Sequence, residues 1–424
     1  MRSLRHRNAE GAWLVLAAVA DGTTFRTAHL PGMHLSPTVT GIAEPATLLM
    51  ARRCRELRAQ GKDVIDLSLG EPDHAPPAFA LKAAEEALKG NWHKYPPVNG
   101  YQDVREAIAR KFKRDNGLDY TADQIVVSTG AKQAIMNVVL SLVSPGDEVV
   151  IPAPFWVTYA EQVKLAGGKP VIVTSSLEED WKAPIERIAA AITPRTRLLM
   201  FSSPCNPSGS VLTAAELAAL AEVVARHPEL YVISDEIYEH IVFDGTHRSF
   251  AALPGMYERT ITVNGLSKAF ALTGWRVGYI GAPRWIAKAC NTIQGQFTSG
   301  TNSIAQRVAL ACMEADPVLL ASMRDDFRRR RDLVLSAMEQ VPGWRCNVPQ
   351  GAFYVLPDVR ASINGRTIKN SVDLSLHLLD AAGVSLVEGD SFGAAGTVRI
   401  SYATSDANLT EAMARIARAV SALT

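Results

Sequence analysis

Through its middle the chain alternates short β-branched or apolar runs with stretches that follow a helical period. Gln124–Ser128 (QIVVS), Glu148–Ile151 (EVVI), Pro170–Val173 (PVIV), Leu198–Ser202 (LLMFS) and Tyr231–Ser234 (YVIS) read as strands. Helical stretches over about 131–142, 183–192 and 213–226 lie between them. Continuously apolar strands between amphipathic helices predict an α/β fold, with a mostly parallel sheet covered by helices on both faces. Such a sheet binds its ligands beyond the carboxyl ends of the strands. Pro145-Gly146-Asp147 and Pro204–Gly209 supply turn chemistry at two strand ends.

After about residue 315 the pattern changes. A long charged helix over about 317–340 leads to a strand at Ala352–Leu356, a helix near 372–382, a strand at Val398–Tyr402 and a final helix. This predicts a smaller α+β domain, completed by the segment near 35–70. The expected division is an extension over 1–32, an N-terminal segment over 33–75 that joins the small domain, a large ligand-binding domain over 76–315 and a small C-terminal domain over 316–424. The run Arg328–Arg331 reads as a solvated helix face.

Composition narrows the function classes. Hydrophobic residues make up 47% of the 424, and 44 Lys plus Arg stand against 43 Asp plus Glu, for a net charge of +1. A disordered chain would need lower hydrophobicity and higher net charge. Nor does a near-neutral chain in which no basic block interleaves with aromatics carry the field that gathers nucleic acid. Cys54, Cys205, Cys290, Cys312 and Cys346 show no CxxC pairing. They read as reduced thiols of a cytoplasmic protein rather than a disulfide frame or a metal site.

The N-terminus disputes that location. Arg2, Arg5 and Arg7 precede the apolar stretch Gly11–Ala20, which ends in Ala18-Val19-Ala20. The stretch is too short to span a bilayer, which takes about 20 residues. A secretory signal, a transit peptide and sequence upstream of the true start are the three readings. Glu10 and Asp21 suit a transit peptide poorly, and Met33 offers a later start, so the expectation is a dispensable or misassigned extension.

Four clusters carry chemistry. In Thr262–Gly281 (TVNGLSKAFALTGWRVGYIG), Lys268 lies among small and apolar residues. That setting suits a desolvated amine able to form a Schiff base, although a strand-end lysine is more often a surface residue. Arg276, eight positions on, offers a planar fork to a phosphate or else a structural ion pair. Ser128–Gln133 (STGAKQ) places Gly130 where a helix N-terminus meets an anion, or where a tight turn is simply needed. It lacks the spacing and the GK[ST] ending of a Walker loop. In Ser202–Gly209 (SSPCNPSG), Asn206 sits between prolines, aimed at a ligand or completing the turn. In Ser234–Tyr238 (SDEIY), Asp235 ends a strand where a carboxylate can keep a ring nitrogen protonated, with Tyr238 nearby to donate or to pack. Together a phosphate cradle, an imine-forming amine, an acid for a pyridine nitrogen and donors for a phenolic oxygen describe the needs of pyridoxal 5′-phosphate. Trp156, in Pro154-Phe155-Trp156, is a candidate to stack on its ring.

With these residues in place, the chain from about residue 35 onward resembles the fold-type I, class I aminotransferases, and among them the prokaryotic aspartate aminotransferase branch. The resemblance is carried by DLSLGEPD, KYPPVNGYQDVREAIA, STGAKQA, PAPFWVTY, SSPCNPSG, SDEIYEH, NGLSKAFALTGWRVGY, GAFYVLPD and VRISYATS. It implies that Lys268 forms the imine with the cofactor and shuttles the substrate Cα proton. Asp235 would pair with the pyridine nitrogen, Asn206 and Tyr238 with the phenolic oxygen, and Gly130, Ala131 and Arg276 with the phosphate. Tyr95 resembles the tyrosine that reaches the neighbouring subunit's phosphate, which implies a homodimer with shared active sites. Arg399 matches the fork for the substrate α-carboxylate, and Gly70 its backbone contact. Lys132 is associated in this branch with a distal carboxylate, or else makes an accessory phosphate contact. Pro45-Ala46-Thr47 stands where the branch often has Ser-Ala-Thr, so one polar group near the distal end is missing and Thr47 remains.

The resemblance therefore implies a ping-pong transfer of an amino group between an L-amino acid, aspartate first, and 2-oxoglutarate. The alternatives are a prephenate or broad aromatic transaminase, a lyase on the same cofactor, and a regulator that borrows the fold. The last would need a DNA-binding module, and no helix-turn-helix pattern precedes the match.

Overall fold

In the computed structural model residues 35–423 are described, so the Arg-rich start, the 1–32 extension and Met33 lie outside them. The chain divides into two units at Glu44/Pro45. In the described part of the first, Ser36 caps a short helix, Pro37–Thr40, by accepting from the Val39 N–H.

The second unit is organised around a seven-stranded sheet. The chain's strands are β1 Ile65–Asp66, β2 Ile125–Ser128, β3 Glu148–Pro152, β4 Lys169–Val173, β5 Thr196–Ser202, β6 Tyr231–Asp235, β7 Thr260–Gly265, β8 Gly278–Gly281, β9 Tyr354–Val355, β10 Val384–Ser385, β11 Val387–Glu388 and β12 Val398–Ser401. The large sheet runs β2-β8-β7-β6-β5-β3-β4. Every pair among β4, β3, β5, β6 and β7 is parallel, whereas β8 runs antiparallel to both its neighbours. Most strand residues are fully buried, as expected of a sheet covered by helices on both faces. Val126, Val149, Leu198, Ile233 and Ile261 pack on one face with the helix Ala131–Leu142, and Val150, Leu199 and Val232 on the other with Ala214–Ala225.

Sequence and structure agree on the helices Ala131–Leu142, Ile185–Ala191, Ala214–Ala225, Ser371–Ala382 and Asp406–Ser421. Two strands of the large sheet were absent from the sequence-based expectation, as were the two-residue strands β1, β10 and β11. β7 carries two threonines and an asparagine, and β8 is only GYIG, so neither shows an apolar run.

Beyond the large sheet, β11-β12-β9 form an antiparallel three-stranded sheet and β1 pairs with β10. Ile65, Leu67, Phe327, Phe353, Tyr354, Leu378, Ile400 and Ile416 share one buried cluster. Asp316 caps a short turn, Pro317–Leu320, that precedes the helix Ala321–Met338.

The arginine run on that helix corrects the expectation of a solvated face. Arg330 and Arg331 are buried, at 7% and 6% exposure. Arg330 donates to Asp73 at 2.6 Å, and Arg331 to Asp332 at 2.8 Å and to the Pro349 carbonyl at 2.9 Å. Only Arg328 and Arg329 face outward. Asp73 lies 257 positions from Arg330 and Pro349 18 from Arg331, so neither local pattern nor composition could reveal them.

Phe327 sits at the centre of this cluster, 5.0 Å from the Phe353 ring and with no exposed surface. Phe327→Ala is expected to cost about 3–5 kcal/mol, read as a lower denaturant midpoint; an unchanged midpoint would contradict the packing described.

Candidate active site

The sheet's register gathers the chemistry at one edge. Ser202 and Asp235 stand side by side at the carboxyl ends of β5 and β6, with Asp235 opposite Val263, two residues before the end of β7. The segments that leave those strands carry Asn206, Tyr238 and Lys268. Because β8 runs antiparallel, its start lies at the same edge, with Gly278 opposite both Ser128 and Gly265. Arg276 precedes that start and Gly130 follows Ser128, so the reversed strand brings the two together.

Gly130 has φ +84° and caps the helix Ala131–Leu142 with no side chain. A Cβ there would stand 2.4 Å from Arg276 Nη2. An uncapped helix N-terminus with a guanidinium against a bare glycine is a site for a compact anion such as a phosphate. Arg276 also donates to the Thr273 carbonyl at 2.9 Å.

Lys268 feels Arg399 and Arg276 on one hand and Glu71 and Asp235 on the other. Its Nζ donates to the Gly70 carbonyl and lies 5.9 Å from the Tyr238 ring and 5.8 Å from the Phe353 ring. Burial, then Arg399 and Arg276, push its pKa down from 10.5 to about 8. A side chain at position 70 would collide with Tyr354, since a Cβ there would meet its hydroxyl at 2.3 Å. Glycine at that position is what lets the carbonyl reach the amine.

Asp235 is 4% exposed, and burial pushes its carboxyl up to about 6. The Tyr159 hydroxyl donates to one oxygen at 2.6 Å and the Ile237 N–H to the other at 3.2 Å. Both bonds favour the ionised form and leave lone pairs on each oxygen for a cationic partner. The Tyr238 hydroxyl lies 2.8 Å from that of Tyr354.

Arg399, on β12, is almost fully enclosed at 1% exposure. It donates to Asn206 Oδ1 at 3.0 Å and to the Ser68 carbonyl, and its guanidinium lies over the Tyr354 and Phe392 rings at 4.6 and 5.0 Å. Its Nε has no partner. A buried guanidinium with an unmet donor suits a carboxylate ligand.

Trp156 packs edge-on to Tyr159 at 5.6 Å, and Lys132 Nζ lies 5.0 Å from the Trp156 ring. Burial, then Arg276, lower the Lys132 pKa from its ordinary value. Ala46 and Trp156 both pack against the cluster of Val157, Val387 and Phe392, so the helix Ala46–Ala59, which holds Thr47, begins at the cluster that Trp156 also joins. Tyr95 stands apart, 95% exposed.

The structure thus brings together Lys268, Asp235, Asn206, Tyr238, Arg276, Gly130, Ala131, Gly70 and Arg399. Sequence reasoning missed Tyr159 and Tyr354. The only signal for Tyr159 was its place three residues after Trp156; Tyr354 lay unremarked within GAFYVLPD. The residues present fit pyridoxal 5′-phosphate on three counts: an anion cradle that a Cβ would fill, a desolvated amine, and a buried acid with open lone pairs.

No helix among the described residues is long and apolar enough to cross a membrane. The five cysteines are free.

A family model described as aminotransferase class I and II matches residues 62–416. An aspartate/prephenate aminotransferase of Cereibacter sphaeroides is 45% identical over 389 residues, which covers 90% of this chain and 97% of that protein. A bifunctional aspartate aminotransferase and glutamate/aspartate-prephenate aminotransferase of Petunia hybrida is 46% identical, over 92% of this chain and 83% of that protein. The solved aspartate aminotransferase from Thermus thermophilus with maleate superposes with a TM-score of 0.87 at 41% identity, covering 91% of this chain and all of that one.

Competitive acetylation read residue by residue tests the amine. Lys268 should reach half its maximal rate at about pH 8 in the cofactor-free protein. A midpoint for Lys268 near 10.5, the value of an unperturbed lysine, would refute the desolvated amine.

Proposed function

The chain belongs to the class I and II aminotransferases, and on that premise we propose that it transfers the α-amino group of L-aspartate to 2-oxoglutarate, using pyridoxal 5′-phosphate. The observation that carries this reading is the convergence of a neutralisable Lys268 amine, the buried Asp235 carboxylate and the enclosed Arg399 fork at one sheet edge.

When bound, pyridoxal 5′-phosphate supplies a carbonyl carbon for the amino group and a ring that draws electrons from the substrate Cα. Lys268, with its pKa near 8, would hold the cofactor at that carbonyl carbon, and its free amine would take and return the substrate Cα proton. Asp235, kept ionised by Tyr159 and the Ile237 N–H, holds a proton on the ring nitrogen. Asn206 and Tyr238 hold the phenolic oxygen, and Gly130, Ala131 and Arg276 the phosphate. Arg399 orients the α-carboxylate as a two-pronged donor, with Gly70 alongside. Lys132, 5.0 Å from the Trp156 ring, would meet a distal carboxylate.

Aspartate is favoured by Lys132, a cation lodged where a second carboxylate would lie. The relative solved with maleate, a dicarboxylate, agrees with that preference. A prephenate or aromatic donor is the second reading. It is favoured by Pro45, which offers no hydroxyl near the distal end, and by the relatives named for prephenate.

We further assign the exposed Tyr95 to the phosphate of a second copy, giving a homodimer with shared sites. The proposed division keeps residues 76–315 as the cofactor domain and 316–424, with 33–75, as the clamp that carries Arg399. Free cysteines support residence in the reducing cytoplasm.

Two variants test this reading. Lys268→Ala should purify with cofactor and fail to turn over; wild-type turnover would overturn the assignment. Lys132→Met should lower kcat/KM for aspartate about 10–100-fold, the value of a lost hydrogen bond to a charged group, and leave an aromatic donor nearly untouched. Equal losses for both donors would remove Lys132 from the distal carboxylate. A panel of aspartate, prephenate and aromatic donors separates the two readings: aspartate having the lowest kcat/KM would sink the first.

A further inference from the structure

The turn that leaves β6 is held from two sides. Asp235 and Tyr238 face the site, while Glu236 and Glu239 point the other way, into protein. Its own backbone bonds are few: Glu236 N to Val263 O at 2.9 Å, Glu239 N to Glu236 O at 2.9 Å and Ile241 N to Tyr238 O at 2.8 Å. The rest of the restraint comes from side chains distant in sequence.

Glu239 is 7% exposed and meets Lys111, which is 2% exposed, on the helix Gln102–Asn116. Lys111 Nζ donates to Glu239 Oε1 and, at 2.8 Å, to Asn116 Oδ1. Asn116 Nδ2 completes the triangle by donating to Glu239 Oε2 at 2.6 Å. His240 Nε2 lies 3.2 Å from Glu239 Oε1, and Asp115 Oδ2 lies 3.7 Å from the lysine. Burial pushes the Glu239 carboxyl up, but the Lys111 ammonium together with His240 and His247 outweighs it and holds the group well below the usual range. Behind β6 the Glu236 carboxylate accepts from Ser234 at 2.8 Å, from Ser249 at 2.9 Å and from the Phe250 N–H at 3.2 Å.

Burying a Lys–Glu pair is costly, and apolar residues of similar size often give equal or greater stability. Stability alone therefore does not account for a charged pair at this point. What the pair supplies is geometry: both oxygens of Glu239 are fixed by one helix end, one residue beyond Tyr238 and four beyond Asp235. An apolar contact in the same space would fill volume without setting that direction.

We propose that Lys111 and Glu239 are positioning residues, fixing the turn that presents Asp235 and Tyr238 to the cofactor ring. The inference rests on the aminotransferase reading. Neither residue touches substrate or cofactor; each acts through the turn.

The test compares Lys111→Met, Glu239→Leu, the double variant and Glu239→Gln with the unmodified protein. Tm of the cofactor-free proteins, the Kd for pyridoxal 5′-phosphate, and kcat and KM for aspartate are measured. Each apolar single variant removes the nearest opposite charge from a buried group, leaving Glu239 only His240 and His247, or Lys111 only Asp115, and should lower Tm. The double variant should regain most of that loss, yet bind pyridoxal 5′-phosphate at least about tenfold more weakly. Its kcat should fall about as much, with KM for aspartate within about twofold, because Arg399 is untouched. Glu239→Gln keeps the shape but not the charge, so its Kd should rise severalfold even if the double variant does not fold. A stable double variant, or the Gln variant, with native Kd and kcat would overturn the proposal while leaving the aminotransferase reading intact. Unmodified protein that takes up no pyridoxal 5′-phosphate would refute both.

Discussion

The structure depends on keeping an amine dry. Lys268 is half-buried near two guanidinium groups, with a backbone carbonyl as its hydrogen-bond partner, and its proton is correspondingly loosely held. In water the same amine would be almost wholly protonated at neutral pH and unable to attack a carbonyl. Much of the surrounding architecture serves this condition. Gly70 is bare so that its carbonyl can reach the amine beside Tyr354. β12 carries Arg399 into the interior, where it both lowers the lysine pKa and waits for a carboxylate. Asp235 supplies the opposite charge at a distance that leaves the amine unpaired.

The sheet makes this arrangement inexpensive in local structure. Three parallel strands end within two residues of a common register, so residues far apart in sequence arrive at one edge on rigid supports. One reversed strand then returns Arg276 to the same edge against the N-terminus of the helix that follows β2. An anion held there lies beyond the strand ends, with the amine and the acid on neighbouring segments. Positioning is thus a property of register, and the loops carry only the final step.

Much of this was legible in the sequence, for local reasons. Apolar runs and turn residues marked β2 through β6, and each chemical residue sits within a few positions of a strand end. Asp235 and Lys268 stood out because their immediate neighbours are distinctive. The structure added pairs joined only by folding. Tyr159 and Asp235 are 76 positions apart, Tyr238 and Tyr354 are 116, and Lys111 and Glu239 are 128. No periodicity reports such partners. The same reason hid the buried half of the arginine run, whose acids include Asp73, 257 positions from Arg330. β8 escaped notice because a strand with two glycines in four residues carries almost no apolar signal.

The central claim is that these residues move an amino group in two separable halves, and a single-turnover experiment examines that most directly. Cofactor-loaded protein is mixed with L-aspartate and no oxo acid, and the oxo acid released is counted against active sites. The account predicts one equivalent of oxaloacetate per site, then arrest until 2-oxoglutarate is added. Release that continues without an acceptor, or products other than the matching oxo acid, would contradict it.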